Sequence, residues 1–165
     1  MDTPWLDDDQ LAAWVRLAAV LELLPGTLDS QLRRDAELTH FEYFTLAMLS
    51  ESPDHTLPMT LLAARTNATL ARLSHVVRRL DERGYIERSL NPTDRRVTIA
   101  RLTPEGFDKV RATAPGHVAT VRHYVIDALT PEQVTALTFI TDAILQRLDP
   151  DGVIADTSHR HFPGR

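Results

Sequence analysis

The sequence predicts a mainly α-helical domain carrying one small β-ribbon, an α+β fold. Three observations carry that expectation. Most apolar residues recur at three- and four-residue spacing, the mark of helices with one buried face. Only one stretch, about 85–102, breaks into two short extended runs, set around the polar turn Asn91-Pro92-Thr93-Asp94-Arg95. And Leu-Thr-Pro-Glu occurs twice, at 102–105 and 129–132, each time as a helix start with threonine as the cap and proline in the first turn.

From Asp7 to Asp35, the residues Leu11, Trp14, Val15, Ala18, Leu21 and Leu24 form the apolar face of a helix. Asp7, Asp8 and Asp9 sit at its positive N-terminal end. Pro25-Gly26 is expected to break or kink it before a second piece holding Leu28 and Leu32. Thr39 caps a helix of roughly 40–51, with Glu42 completing a capping box. Its expected inner face is Phe41, Phe44, Leu46, Met48 and Leu49. Ser52-Pro53-Asp54-His55 reads as a loop and Leu57-Pro58 as a very short strand. A helix at about 59–66 follows, with Leu61, Leu62 and Ala63 inside.

Asn67 or Thr69 then caps a helix at roughly 70–83, with Leu70, Leu73, Val76, Val77 and Leu80 as its buried stripe and Gly84 as its stop. Strands are expected at about 85–90 and 96–102. Helices at roughly 104–128 and 131–148 complete the domain. The first carries Val118, Val121, Val125 and Leu129, and Pro115-Gly116 should bend it. The second carries Val134, Leu137, Ile140, Ile144, Leu145 and Leu148, and Asp149-Pro150-Asp151-Gly152 ends it. Residues 151–165 read as a disordered tail.

The chain has 165 residues, 43% hydrophobic and 25% charged, which suits one domain (1–150) with a core of its own. There are no cysteines, which excludes disulfides, thiolate zinc sites and thiol redox sensing. No apolar run is expected to reach the roughly 20 residues of a membrane span. The start, Met1-Asp2-Thr3-Pro4, is acidic where a signal peptide is basic, so the expected compartment is the cytoplasm.

The net charge of −5 is unevenly spread. Residues 60–111 hold 11 Lys+Arg against 6 Asp+Glu, a balance of +5, while the remainder carries −10. A basic island on an acidic body attracts phosphate locally and limits non-specific adhesion. That island holds a helix bearing Arg72, His75, Arg78 and Arg79, and beside it a β-ribbon tipped by Arg95 and Arg96. A helix of that kind fits the major groove of duplex DNA, and an arginine-tipped ribbon fits the minor groove. The combination is a winged helix-turn-helix. The apolar helices at both chain ends exceed what such a lobe needs, and a second subunit is the natural cover for them.

The element order resembles that of the MarR family of dimeric transcription regulators from about Leu11 to Leu148. The resemblance is strongest in Ser74-His75-Val76-Val77-Arg78-Arg79-Leu80, in Arg83-Gly84-Tyr85-Ile86-Glu87-Arg88, and in Asp94-Arg95-Arg96 followed by Leu102-Thr103-Pro104-Glu105-Gly106. It implies a DNA-binding lobe at about 38–112 flanked by dimerisation helices at about 7–35 and 113–148. It makes the helix at 70–83 the recognition helix. Thr69, Arg72, Ser74 and His75 are then the base readers, with Arg78 and Arg79 on phosphates or partners. Arg96 enters the minor groove, Asp94 orients its guanidinium, and Arg95 meets phosphate. The helix entry, Asn67-Ala68-Thr69-Leu70-Ala71, lacks the Ser and Arg run of many members, so no operator sequence is implied.

The implied function is a homodimeric repressor on a pseudo-palindromic operator, released by a small effector. Members often respond to aromatic acids, for which Trp14, Arg16, His40, Phe44 and Arg88 are the candidates by residue type. The cysteine-free sequence excludes the family's peroxide-sensing branch. The alternatives are a regulator without a ligand and a winged-helix protein-interaction module without DNA binding. No cofactor or metal is expected: the seven histidines form no His-x-x-x-His pair, and His159 and His161 fall in the tail. Catalysis is not expected either. The chain has no phosphate-binding glycine loop, Gly-x-Ser-x-Gly or His-Glu-x-x-His, and Ser74 and His75, neighbours on a helix, point about 100° apart.

Overall fold

The computed structural model describes residues 3–154. It opens on a long helix, α1 (Asp8–Ala36), closed at its start by a reciprocal capping box between Asp7 and Gln10. Next comes α2 (His40–Ser50), capped by Thr39 with Glu42 in the expected box. A 3-10 turn at Pro53–His55 leads into β1 (Thr56–Pro58), α3 (Met59–Arg65) and α4 (Leu70–Glu82). The ribbon is β2 (Ile86–Leu90) and β3 (Thr98–Leu102), followed by α5 (Pro104–Val121) and α6 (Pro131–Leu148). The three strands form one antiparallel sheet in the order β1-β3-β2, with Leu57 and Arg88 on opposite sides of Ala100.

Threonine caps work as the sequence indicates: Thr69, Thr103 and Thr130 accept backbone N–H bonds from Arg72, Gly106 and Gln133. Gly84, at φ +77°, ends α4 in the left-handed region that glycine reaches without strain. Its N–H and that of Tyr85 return to the carbonyls of Asp81 and Leu80.

The core gathers Leu38, Leu46, Leu49, Leu62, Leu73, Leu80 and Ile86, together with Leu32 from the last turns of α1. Leu61 and Leu70, expected inside, are 38% and 48% exposed. Met59, Leu62 and Ala63 already take the inner face of the short α3, and Leu70 starts α4 one turn before its buried stripe. On α2, Phe41 and Phe44 are half-buried, while Glu42, Tyr43 and Thr45 go inside instead.

The helix break expected at Pro25-Gly26 does not occur. Pro25 lies inside an uninterrupted α1, and Pro115 inside α5. A proline removes one ladder bond, but a helix already nucleated on both sides continues through it. The irregular turn comes later, at Arg122–Ile126, where the Asp127 N–H reaches back five residues to the Arg122 carbonyl at 2.8 Å.

The absence of a span-length apolar helix also fails as an expectation. By length and composition alone, α1 could cross a membrane, despite Arg16 and Glu22 within it. Its last third is nonetheless protein core, with Leu28, Leu32 and Ala36 buried. Of the expected tail, residues 151–154 form a turn held by Asp149, whose carboxylate accepts the N–H groups of Val153 and Ile154. Residues 155–165 lie outside the described residues.

Candidate nucleic-acid interface

The α4 helix is amphipathic by design of its sequence. Leu73, Val76, Val77 and Leu80 anchor one side in the core, which forces Arg72, His75, Arg78 and Arg79 outward. Its 13 residues make a rod about 20 Å long, suited to a major groove about 12 Å wide. Thr69 is exposed at the N-terminus but engaged as the cap, and Ser74 is half-buried. Arg78 Nη2 lies 3.0 Å from His75 Nδ1, one turn away. Arg72 stacks over the Phe41 ring, 4.2 Å from its centre. Arg79 turns back to Glu42, with 3.2 Å between Nη2 and Oε1.

Sequence patterning missed those last two partners, because the arginines meet residues 31 and 37 positions away in α2. The only signal for them was an apolar and an acidic residue in adjacent positions after a helix cap.

The ribbon tip is built from local hydrogen bonds. Asn91 Oδ1 accepts the Thr93 N–H at 2.9 Å and Asp94 Oδ1 the Arg96 N–H at 3.1 Å, two consecutive Asx turns. Arg96 then folds its guanidinium onto Asp94, Nε to Oδ1 and Nη2 to Oδ2, both at 3.0 Å. This bidentate hydrogen bond lowers the Asp94 pKa and raises that of Arg96. The Arg96 side chain is 90% exposed, so it is held in one direction yet free to meet a ligand. Arg95 is exposed beside it.

The residues expected to bind an effector are not gathered into one site. His40 and Phe44 stack 6.4 Å apart, and His117 of α5 and Tyr43 join them, with Tyr43 and His117 4.8 Å apart. Trp14 is exposed on α1, and Arg16 is folded onto the Ala12 carbonyl of the same helix. Arg88 pairs with Asp81 at 3.2 Å and so ties β2 to α4. Tyr43 and His117 were missed because each looks like an ordinary helix residue until α2 and α5 are packed together. The described residues hold no group of His, Asp or Glu arranged for a metal ion; His159 and His161 lie outside them.

Burial lowers the pKa of His40 despite the nearby Asp29 carboxylate, and burial aided by the charge of His40 lowers that of His117. Burial, with the Glu51 charge, pushes the Tyr43 phenol up to about 12. A histidine held neutral in the fold takes up its proton more readily when unfolded. Its contribution to stability is therefore complete above the ordinary value of 6.5 and is lost as pH falls through the lower folded value. Asp29, lowered from 3.8, acts only in a more acid window. The midpoint of urea unfolding should fall between about pH 7.5 and about pH 5.5, and fall less in a His40→Asn/His117→Gln variant. Equal pH dependence in the two proteins refutes the buried-neutral assignment.

The MarR family model matches residues 38–98. The structure is similar to that of Sco3205, a MarR family transcriptional regulator from Streptomyces coelicolor solved in complex with DNA. The TM-score is 0.85 and the identity 42%, covering 90% of this chain and 93% of that one. It is also similar to AbsC, a MarR family transcriptional regulator from the same organism, at TM-score 0.83 and 36% identity over 88% of this chain and 98% of that one. Among curated relatives, the HTH-type transcriptional regulator YdcH of Bacillus subtilis (strain 168) is 36% identical over 81 residues. That match spans 48% of this chain and 55% of YdcH.

Proposed function

The chain belongs to the MarR family, and from that premise we propose that it is a DNA-binding transcription regulator, a homodimeric repressor working in the cytoplasm. One observation carries the DNA-binding part of this reading: the basic face of α4 and the Asp94-braced Arg96 project from one lobe whose core fixes both. Arg72, Ser74 and His75, with Thr69 at the helix entry, read bases. Arg78 and Arg95 meet phosphate, and Arg96 enters the minor groove.

The dimer is supported by α6, which fully buries none of its side chains among the described residues, and by the exposed apolar stripe of α1. Covering these helices with a second copy places two recognition helices about 34 Å apart, one DNA turn, on a pseudo-palindrome. In this arrangement residues 38–112 form the DNA lobe and both chain ends form the dimer scaffold.

Release by a small aromatic molecule is supported by the His40, Phe44, Tyr43 and His117 cluster, which sits where α2 of the lobe meets α5. A ligand there acts by binding one helix spacing better than another, and it shifts the population by that difference in affinity. The pairing of Arg16 and Arg88 elsewhere favours a second reading, a regulator without an acidic effector, since the cation expected for a carboxylate is engaged. Thermal stabilisation by a panel of phenolic acids and their neutral analogues separates the two.

The test of the main reading is a band-shift series on DNA from upstream of the protein's own gene. Affinity should fall steeply with salt on log–log axes. Arg96→Ala should weaken every sequence, while Arg72→Ala should cost about 1–3 kcal/mol on the preferred site and relax base preference there. Two mutants that bind like the wild type would remove these assignments. A wild type indifferent to all DNA would leave the interaction module as the better description.

A further inference from the structure

Three arginines of the recognition helix and its C-terminal cap are held by one corner of the fold, the turn from α1 into α2. Arg72 lies over Phe41, Arg79 faces Glu42, and Arg83 Nη1 donates to the Glu37 carbonyl at 3.0 Å. Among the partners Glu42 stands apart. It is 1% exposed, and its Oε2 accepts the Thr39 N–H at 2.8 Å in the α2 capping box. Among the described residues its Oε1 has no hydrogen bond; the Arg79 guanidinium compensates its charge as an ion contact. A cavity of 170 Å³, lined in part by Arg33, Thr39, Glu42 and Arg79, opens beside it.

Capping alone does not call for a buried carboxylate. The other two capping boxes among the described residues use glutamine at the same position, Gln10 and Gln133. Burying a carboxylate is costly unless a cation answers it, so the charge at position 42 has its use in holding Arg79. We infer that Glu42 is a positioning residue for DNA reading: through Arg79 it fixes the recognition helix against the α1–α2 corner, and Arg79 is an internal strut, not a phosphate contact.

The inference rests on the regulator reading above, and it departs from a phosphate-contact role for Arg79 in two simple measurements. On a duplex from upstream of the gene, Arg79→Ala lowers affinity roughly two- to thirty-fold while leaving the salt slope unchanged. Arg78→Ala, the phosphate-contact control, flattens the slope by about 0.9. Glu42→Gln retains the capping box and removes a negative charge from the DNA lobe, which by electrostatics alone strengthens binding; the strut predicts that it weakens binding. The double variant should be no weaker than the weaker single one.

A slope flattened as much by Arg79→Ala as by Arg78→Ala overturns the inference, as does Glu42→Gln binding at least as tightly as the wild type. Should Glu42→Gln fail to fold, the Arg79→Ala slope decides alone, because that side chain is half exposed. Hydrogen exchange without DNA gives an independent arm: α4 amides should exchange faster in Arg79→Ala, and unchanged exchange counts against the strut. A wild type that binds no DNA removes the regulator reading, and the exchange arm still reports on the strut by itself.

Discussion

Ile140→Asp should give a folded monomer that binds DNA about 10²–10⁴-fold more weakly than the wild type. Ile140 is 57% exposed in the single chain, in the middle of the apolar stripe that Leu137, Ile144 and Leu148 continue along α6. The isolated fold does not depend on it, since among the described residues α6 has no fully buried side chain. In the proposed symmetric pair the same residue would enter the interface twice. Each copy forfeits about 1.5–3 kcal/mol of apolar burial and brings a carboxylate into a dry contact, where it costs more than the isoleucine contributed.

The loss at DNA follows from linkage of the two lobes. A dimer that has placed one recognition helix meets its second half-site at an effective concentration of about millimolar order, and a monomer loses that advantage. Sedimentation should show the mass of one chain, with the circular dichroism of a folded helical protein. Gln146→Asp, the same charge on the same helix but away from the stripe, should remain dimeric. An Ile140→Asp protein that is still dimeric and still tight on DNA would move the interface elsewhere.

The elements that could be read from the sequence are those whose causes lie within a few residues. Thr39 with Glu42, Thr103 before Pro104 and Thr130 with Gln133 satisfy their own helix starts, so spacing alone reveals them. The same holds for the Asp94–Arg96 clamp, two residues across. Pro25-Gly26, read as a helix break, misled for the converse reason. Its local cost is real, but it is set against a long helix whose packing is decided by distant residues. The site divides in the same way. The outward row Arg72, His75, Arg78, Arg79 follows from the period of α4, whereas the turning of Arg79 to Glu42 and of Arg88 to Asp81 needs the folded lobe. His117 beside His40 is of the second kind too, since 77 residues separate them and only the docking of α5 brings the rings to 6.2 Å.

Gly106→Ala should destabilise the protein by about 3–5 kcal/mol, a large part of the roughly 5–15 kcal/mol that holds an ordinary domain. A Cβ at this position would lie 2.1 Å from the Tyr85 carbonyl oxygen and 2.7 Å from Leu102 Cδ1. The first obstacle is backbone and already engaged, because Tyr85 O accepts the Thr103 N–H at 3.0 Å. Next to it, the Thr103 hydroxyl donates to the Gly84 carbonyl at 2.7 Å and accepts the Gly106 N–H at 3.0 Å. A methyl group therefore cannot be admitted by turning one side chain. The start of α5 must lift from the turn that ends α4, straining these bonds, at about 1–3 kcal/mol for each buried polar group left unpaired. The melting temperature should drop by roughly 10 °C, and DNA binding should weaken as well, since the displaced turn ties the recognition helix to the ribbon. Gly26→Ala is the contrast: among the described residues, nothing beyond the adjoining residues and backbone of its own helix lies within 4 Å of the added carbon, and alanine favours a helix interior by up to about 1 kcal/mol. A Gly106→Ala protein as stable as the Gly26→Ala one would show that the close approach of α5 to Tyr85 is not what position 106 requires. The spacing Leu102-Thr103-Pro104-Glu105-Gly106, read first as a family likeness, has a steric cause: the cap must sit on the Gly84 carbonyl, and three residues later only glycine clears Tyr85.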